Sequence, residues 1–155
     1  MTIKKPTGDV AKDVAKDVVI AIQSEQREDG RRVVRIDQNA EGKLTIRGDI
    51  WSIHYKEPAE TGLGEAYTTL QVDPDRSVSI NRSGENQISM LFAEGHQHIS
   101  RMSTPAGAFD IGFLTRKVQA RIGENGGTIR IDYIVRFEDK RPVDTRMRFT
   151  ISPKA

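Results

Sequence analysis

Two charged side chains stand in otherwise apolar rows and are the best candidates for chemistry. From Trp51 alternate residues are mostly apolar up to Glu57, and from Val78 they are apolar up to Arg82. In an antiparallel meander both rows face inward and end at the same edge, with one strand between them. Strands lie about 4.8 Å apart, so roughly 10 Å separates the two backbones. Two long side chains, or a ligand between them, can bridge that gap.

The guanidinium of Arg82 offers a planar fork of donors that suits carboxylate or phosphate groups. One hypothesis is therefore an anion site at the barrel mouth, where Glu57, Tyr55 and Thr68 complete the hydrogen bonds around the ligand. The alternative is that Arg82 and Glu57 pair with each other or with buried carbonyl groups, because charges that face inward require partners. Both interpretations remain open at the level of sequence.

Other chemistries find little support in the residue types. With no cysteine in the chain, disulfides, thiolate catalysis and cysteine-based metal sites are excluded. His96 and His98 fall on one face of an extended segment, but the spacing fixes no third ligand, which predicts a solvated turn rather than a metal site. No Gly-x-Ser-x-Gly elbow is present, and residues 123–127 lack the Lys-Ser/Thr ending of a phosphate loop. We therefore predict no catalytic residue, no metal and no cofactor.

The last two apolar runs form a small basic stripe. Four arginines have the outward parity there, namely Arg130, Arg136, Arg146 and Arg148. Such a stripe suits RNA or a partner protein, yet RNA recognition normally adds aromatic side chains for stacking. The outward neighbours are instead Asp132, Glu138 and Thr150. A salt-bridged, solvated face is the favoured interpretation, and a protein- or RNA-interaction module is the alternative function.

A run of strands must position these side chains. From Asp17 onward apolar residues alternate with polar ones, and turn signals such as Asp73-Pro74-Asp75 recur about every ten residues. Another turn is predicted at Glu41-Gly42. Short connections without helical crossovers imply antiparallel pairing, and closure removes the edges of so many strands. We predict an all-β fold, a single closed up-and-down antiparallel barrel of eight to ten strands, with a β-sandwich as second choice.

The interior of such a barrel is predicted to be well filled. Eight large inward side chains are available for it, namely Trp51, Met90, Phe92, Phe109, Phe113, Tyr133, Phe137 and Phe149. A barrel of eight strands leaves little room beyond its own side chains. A large ligand cavity is therefore not implied.

The start of the chain differs from the rest. The tetrapeptide Asp9-Val10-Ala11-Lys12 is repeated at residues 13–16, and a period of four suits a short helix. We assign residues 1–16 to an N-terminal extension, helical or disordered, and residues 17–155 to the barrel domain. No stretch approaches the roughly 18 apolar residues of a membrane span, and the start has no apolar segment like that of a signal peptide. These features predict a cytoplasmic protein without a membrane partner.

Several short motifs occur in a characteristic order, namely Arg82-Ser83-Gly84, Met90-Leu91-Phe92, Glu94-Gly95, Thr104-Pro105-Ala106-Gly107 and Thr115. Their spacing resembles the YwiB-like proteins, an uncharacterised bacterial family of calycin-like barrels. Tyr55-Lys56-Glu57 is similar to the family's Tyr-x-Glu, whereas Met102 and Ala106 stand where aromatic residues are expected. The resemblance spans roughly residues 18–152. It implies a lipocalin-like barrel and carries over no activity.

The partner classes follow from these features. The chain has 24 Lys and Arg against 22 Asp and Glu, a formal charge of +2, which argues only weakly for nucleic acid. The sequence therefore predicts a non-enzymatic barrel that binds a small molecule, preferably an anion, at one mouth. Nucleic acid is the less favoured partner, and the chain is expected to be a monomer or a homodimer.

Overall fold

The structure is a computed structural model that describes residues 14–28, 31–57, 65–137 and 140–155. The described residues form ten β-strands: β1 (Val14–Glu28), β2 (Arg31–Arg47), β3 (Ile50–Lys56), β4 (Ala66–Val72), β5 (Val78–Gly84), β6 (Ile88–Phe92), β7 (Gln97–Thr104), β8 (Gly107–Gly123), β9 (Gly126–Phe137) and β10 (Val143–Pro153).

The strands form one sheet in the order β6-β5-β4-β3-β2-β1-β10-β9-β8-β7, and neighbours pair antiparallel. The two end strands, β6 and β7, meet at a seam. Gln87 and Ser103 exchange two backbone hydrogen bonds of 2.9 Å there, and the Ser100 hydroxyl donates to the Ser89 carbonyl. The prediction of a single up-and-down antiparallel barrel is confirmed. It has ten strands, and the contacts at the seam nearly close it.

Alternation along each strand separates the core from the surface. On β9, Ile129, Ile131, Tyr133 and Val135 are buried, and the residues between them are partly exposed. Ile and Val suit such positions because a branched side chain packs well on a pleated, half-buried surface. Burial of apolar rows from nine of the ten strands supplies the core, at about 1.5–3 kcal/mol for each fully buried large aliphatic side chain, whereas the buried residue of β7 is Ser100.

Strand β2 is longer than the sequence predicts. It runs through Gly42 without a break, so the turn predicted at Glu41-Gly42 is wrong and the chain reverses after Arg47. A side chain at residue 42 would place its Cβ 2.2 Å from the His54 carbonyl oxygen of β3. The glycine therefore permits a close approach of two strands and does not mark a turn.

Strand β8 contains a bulge that changes the parity of its inward row. Asp132 of β9 lies opposite Lys117, but the next residue, Tyr133, lies opposite Thr115. Arg116 is the extra residue, and such an insertion bends a strand and shifts its alternation by one. The buried positions accordingly change from odd to even numbers along β8.

The predicted filling of the interior is correct for five of the eight large side chains, which are buried: Met90, Phe92, Phe113, Tyr133 and Phe149. Trp51 and Phe137 are partly buried against this core. Phe109 is 45% exposed, so its assignment to the interior is wrong. It has the inward parity, but the β8–β9 pairing ends at Ile111, and the β7–β8 hairpin continues beyond the barrel wall.

Strand β1 begins at Val14, which lies opposite Ile46 of β2. The boundary drawn from the sequence at Asp17 therefore falls inside this strand, and residues 14–16 belong to the sheet. Residues 1–13, which contain most of the tandem repeat, lie outside the described residues.

Candidate functional site

Three adjacent strands bring four predicted inward residues together at one end of the barrel. Tyr55 on β3 lies opposite Thr68 on β4, and Thr68 lies opposite Arg82 on β5. Glu57 follows two residues after Tyr55, and its N–H donates to the Ala66 carbonyl at 2.8 Å. This bond extends the pairing of β3 with β4 past the strand end, so the alternation continues and Glu57 also faces inward.

The four residues form a polar network, which we call the Arg82 network. The Thr68 hydroxyl donates to Glu57 Oε2 and accepts from Arg82 Nε at 3.4 Å. Arg82 Nη2 lies 3.6 Å from the same Glu57 oxygen. The side chain of Glu57 is 4% exposed and that of Arg82 is 19% exposed. The two charges therefore pair with each other, and Arg82 still reaches solvent.

Two tyrosines beside these charges are held in their neutral form. Burial raises the pKa of Tyr55, and the neighbouring Glu57 carboxylate raises it further, whereas Arg82 acts in the opposite direction. Burial raises the pKa of Tyr133 to about 12, again against the effect of Arg82. The field of Arg82 thus reaches Tyr133 on β9, in the other wall of the barrel.

The raised tyrosine pKa values predict a loss of stability at alkaline pH. Each tyrosine ionises near pH 10 when the chain is unfolded, but Tyr133 does so only near pH 12 when folded. Its stabilising contribution is therefore complete below pH 10 and is lost as the pH rises through 12. Between pH 10 and about pH 11 we expect Tyr133 alone to lower the free energy of unfolding by about 1 kcal/mol.

Urea denaturation at pH 9, 10 and 11 measures this effect, with Tyr133→Phe as the comparison. The variant cannot ionise at this position, so its stability should fall less steeply above pH 10 than that of the parent protein. If the free energy of unfolding depends on pH in the same way for the two proteins, Tyr133 is not buried in its neutral form.

The opposite wall contains two polar residues that the sequence analysis did not select as site residues. Thr115 and Thr145 are the cross-strand partners of Tyr133 on either side. Within the described part of the chain, neither hydroxyl has a hydrogen-bond partner, although both are buried. Buried hydroxyls are normally satisfied, often by ordered water. Their signal in the sequence is a threonine within an apolar row, the same signal as at Thr68.

An open cleft of about 630 Å³ lies over the seam between β6 and β7, and we call it the seam cleft. Its lining contains hydroxyl, amide, imidazole and guanidinium groups with two isoleucines: Thr69, Asn81, Arg82, Ser83, Gln87, Ile88, Ser89, His98, Ile99, Ser100, Arg101 and Ser103. None of these twelve lining residues is acidic. The cleft is therefore a positive, hydrogen-bonding surface, and Arg82 connects it to the buried network.

The Arg82-Ser83-Gly84 motif has a structural explanation at this position. Arg82 faces inward and Ser83 lines the seam cleft, as alternation requires. At Gly84, with φ of 135°, a Cβ would lie 2.3 Å from the Glu65 carbonyl oxygen. The glycine lets β5 run close to the start of β4, and this fixes the backbone beside Arg82.

The four arginines of the predicted basic stripe do not form one uniform surface. Arg130 contacts Asp132 at 2.9 Å, and Arg146 lies 3.5 Å from the same carboxylate. Arg148 lies opposite Arg130, and Arg136 lines a separate depression with Gly112 and Ile99. Glu138, the other acidic neighbour considered, lies outside the described residues. Asp132 therefore neutralises much of the stripe.

The two histidines of the His96-Gln97-His98 segment have different environments. His96 lies in the turn between β6 and β7, where its N–H donates to the Ala93 carbonyl at 3.0 Å. His98 is on β7 and lines the seam cleft. No group of three His, Cys, Asp or Glu side chains suited to a metal ion occurs in residues 14–28, 31–57, 65–137 and 140–155.

Comparisons with known proteins agree with the fold. The sequence pattern of DUF1934, described as a domain of unknown function, matches residues 20–149. The crystal structure of the YwiB protein from Bacillus subtilis is similar, with a TM-score of 0.76 and 18% sequence identity over 91% of this chain and 94% of that chain. No match was found among curated proteins. At this identity the structural likeness concerns the fold alone.

The described residues contain no helix with the length and apolar character needed to cross a bilayer. The match to the family pattern extends over most of the chain, and the similar structure is that of a YwiB protein. The resemblance to YwiB-like proteins in the sequence motifs is therefore confirmed, and the chain belongs to the DUF1934 family of domains of unknown function.

Proposed function

We propose that this protein is a non-enzymatic, lipocalin-like binding protein of the cytoplasm that takes a small oxyanion in the seam cleft. The observation that carries the proposal is the position of Arg82, which belongs to the buried network and also lines the cleft. A chain without cysteine requires no oxidising compartment for its fold, which suits the cytoplasm.

Arg82 is oriented before any ligand binds. Its contacts to Glu57 and Thr68 use Nε and Nη2, and these contacts fix the plane of the guanidinium at the cleft. A preorganised donor loses less side-chain entropy on binding than a mobile surface arginine does. Arg101 on β7 adds a second positive charge to the same lining. Arg82 pairs with Glu57 and Arg101 lies opposite Asp110 of β8, but no acidic residue lines the cleft itself. Two guanidinium groups at such a lining favour a carboxylate or phosphate ligand.

The volume of the cleft also suits a small molecule. Ligand pockets typically measure about 300–1,000 Å³, and the seam cleft measures about 630 Å³. The depression beside the basic stripe is smaller, at about 190 Å³, and Glu25 lines it together with the arginines. The seam cleft is therefore the better candidate for an anion, and the outer face of the last hairpin is the weaker one.

Calorimetric titration with pyrophosphate and with citrate tests the proposal using one phosphate and one carboxylate anion. We expect the full chain to bind at least one of them, and Arg101→Gln to weaken that binding about tenfold because one charge-assisted contact is lost. Arg82→Gln should weaken it at least as much. Binding should also weaken with added salt, since both groups are charged.

Arg121→Gln is the matched control, because Arg121 is an exposed arginine near the Gly123–Gly126 end of β8 and away from the cleft. It should bind like the parent protein. Arg101 is exposed, so its variant should fold even where the Arg82 variant does not. Failure of both anions to bind, or equal binding by the parent protein and Arg101→Gln, would overturn the proposal.

A further inference from the structure

An exposed tyrosine stands beside the seam cleft. Tyr67 is on β4, has the outward parity and is 53% exposed. It lies opposite Ser83 of β5, which lines the cleft. Tyr67 is not one of the lining residues, but its cross-strand neighbour Ser83 is, so Tyr67 stands at the border of the cleft.

Two rows of outward side chains lie between Tyr67 and Arg101. The first row runs from Tyr67 through Ser83 to Gln87 and Ser103, which join across the seam. The second runs from Thr69 through Asn81 and Ser89, and continuing the register of the seam bridge places Arg101 next. Three strand spacings separate the ends of each row, about 14 Å.

The charges around Tyr67 do not oppose an anionic ligand. Glu65, just before β4, is the nearest acidic residue along the chain, and its carboxylate lies 3.7 Å from the Lys56 ammonium. Lys56 is the cross-strand neighbour of Tyr67 on the side away from the cleft. The ring thus lies between a neutralised pair on one side and the positive cleft on the other.

From this arrangement we infer that the ligand of the seam cleft is a nucleoside diphosphate, with its base stacked on Tyr67 and its phosphates bound by Arg82 and Arg101. The inference rests on the proposed function and adds the identity of the ligand. Every base has a flat π-face, so one exposed aromatic ring can hold it without reading its identity. An extended nucleoside diphosphate has a length comparable to the rows between Tyr67 and Arg101. The hydroxyl and amide side chains between them offer partners for the ribose.

Titrations of the full chain with ADP and with pyrophosphate separate the base contact from the phosphate contact. We expect ADP to bind about tenfold more tightly than pyrophosphate, because stacking adds to the same phosphate contacts. Tyr67→Ala should remove this difference and leave pyrophosphate binding unchanged, whereas Tyr67→Phe should keep it. Phe109→Ala is the matched control, since Phe109 is also an exposed aromatic residue but lies opposite Met102, which does not line the cleft.

The outcomes distinguish the two proposals. If pyrophosphate binds through Arg101 but ADP binds no better, or if Tyr67→Ala keeps the preference for ADP, the nucleotide inference is wrong and the anion site stands. If citrate is the one anion of the three that binds, the nucleotide inference is likewise wrong and the anion site stands. Absence of binding by all three anions overturns both proposals. A decamer of riboadenylate that binds when ADP does not would indicate a single-stranded RNA surface and would also overturn the inference.

Discussion

Phe92→Ala is expected to lower the free energy of unfolding by about 4 kcal/mol, because truncating a buried phenylalanine removes apolar contacts and leaves a cavity. The Phe92 side chain is fully buried. Its ring centroid lies 4.7 Å from that of Tyr133 and 5.7 Å from that of Phe113, so one substitution affects a cluster that joins β6 to β8 and β9. Equilibrium denaturation in urea measures the loss as a lower midpoint.

The same substitution should open the seam. Phe92 packs β6 against β8 and β9. β6 is joined to β7 by the Gln87–Ser103 bridge and by the bond from Ser100 to the Ser89 carbonyl, so loss of this packing leaves the end of the sheet with few contacts. Relative to the parent protein, we expect Phe92→Ala to speed hydrogen exchange at the amides of Gln87 and Ser103. The increase should be larger there than at the amides of the β9–β10 pairing. Phe109→Ala is the control and should cost less than about 1 kcal/mol, because its ring is 45% exposed. Similar losses for the two variants would contradict this description of the core.

Glu57→Ala is expected to cost about 3 kcal/mol. It leaves the guanidinium of Arg82 and the hydroxyl of Thr68 in a mostly buried site without their shared acceptor. Removal of one member of a buried ion pair commonly costs about 3–5 kcal/mol, and we place the effect at the lower end because Arg82 is 19% exposed. Urea denaturation at neutral pH gives the value directly.

A double substitution distinguishes the lost partner from lost packing. Glu57→Leu with Arg82→Met removes both charges and keeps most of the volume, and we expect it to recover at least half of the stability lost in Glu57→Ala. Glu41→Ala is the surface control. Glu41 pairs with Lys154 at 3.0 Å, but both side chains are well exposed, so the loss should be less than about 1 kcal/mol. An equal loss for Glu57→Ala and Glu41→Ala would mean that the Arg82 network is solvated.

These two experiments also bear on the ligand site. Glu57 holds Arg82 in place for the seam cleft, so a Glu57 variant that still folds should bind an anion less tightly through loss of preorganisation. Phe92 lies opposite Val78, at the other end of β6 from the cleft residue Ile88, and is not part of the cleft lining. A weakening of anion binding in Glu57→Ala, at temperatures where it remains folded, is therefore a local effect on Arg82.

Much of the fold follows from the local pattern of residues. The alternating rows of β9 and β10 predict their inward faces, and Glu57 and Arg82 have the inward parity because a strand alternates by two. Their meeting at one end follows from the short connections between consecutive strands. The pairing of Arg82 with Glu57 was one of two open alternatives, because parity fixes the face of the sheet but not the partner of a side chain.

The antiparallel strands, the apolar rows and the two charges within them can be read from the amino-acid sequence, because each depends on neighbours along the chain. The course of β2 through Gly42, the bulge at Arg116 and the exposure of Phe109 are visible only in three dimensions, since these depend on how far each strand pairs with its neighbour. The position of the seam is a further feature of this kind. That position brings Arg101 of β7 beside the strands that carry Tyr67 and Arg82, because closure of a barrel is a property of the whole sheet.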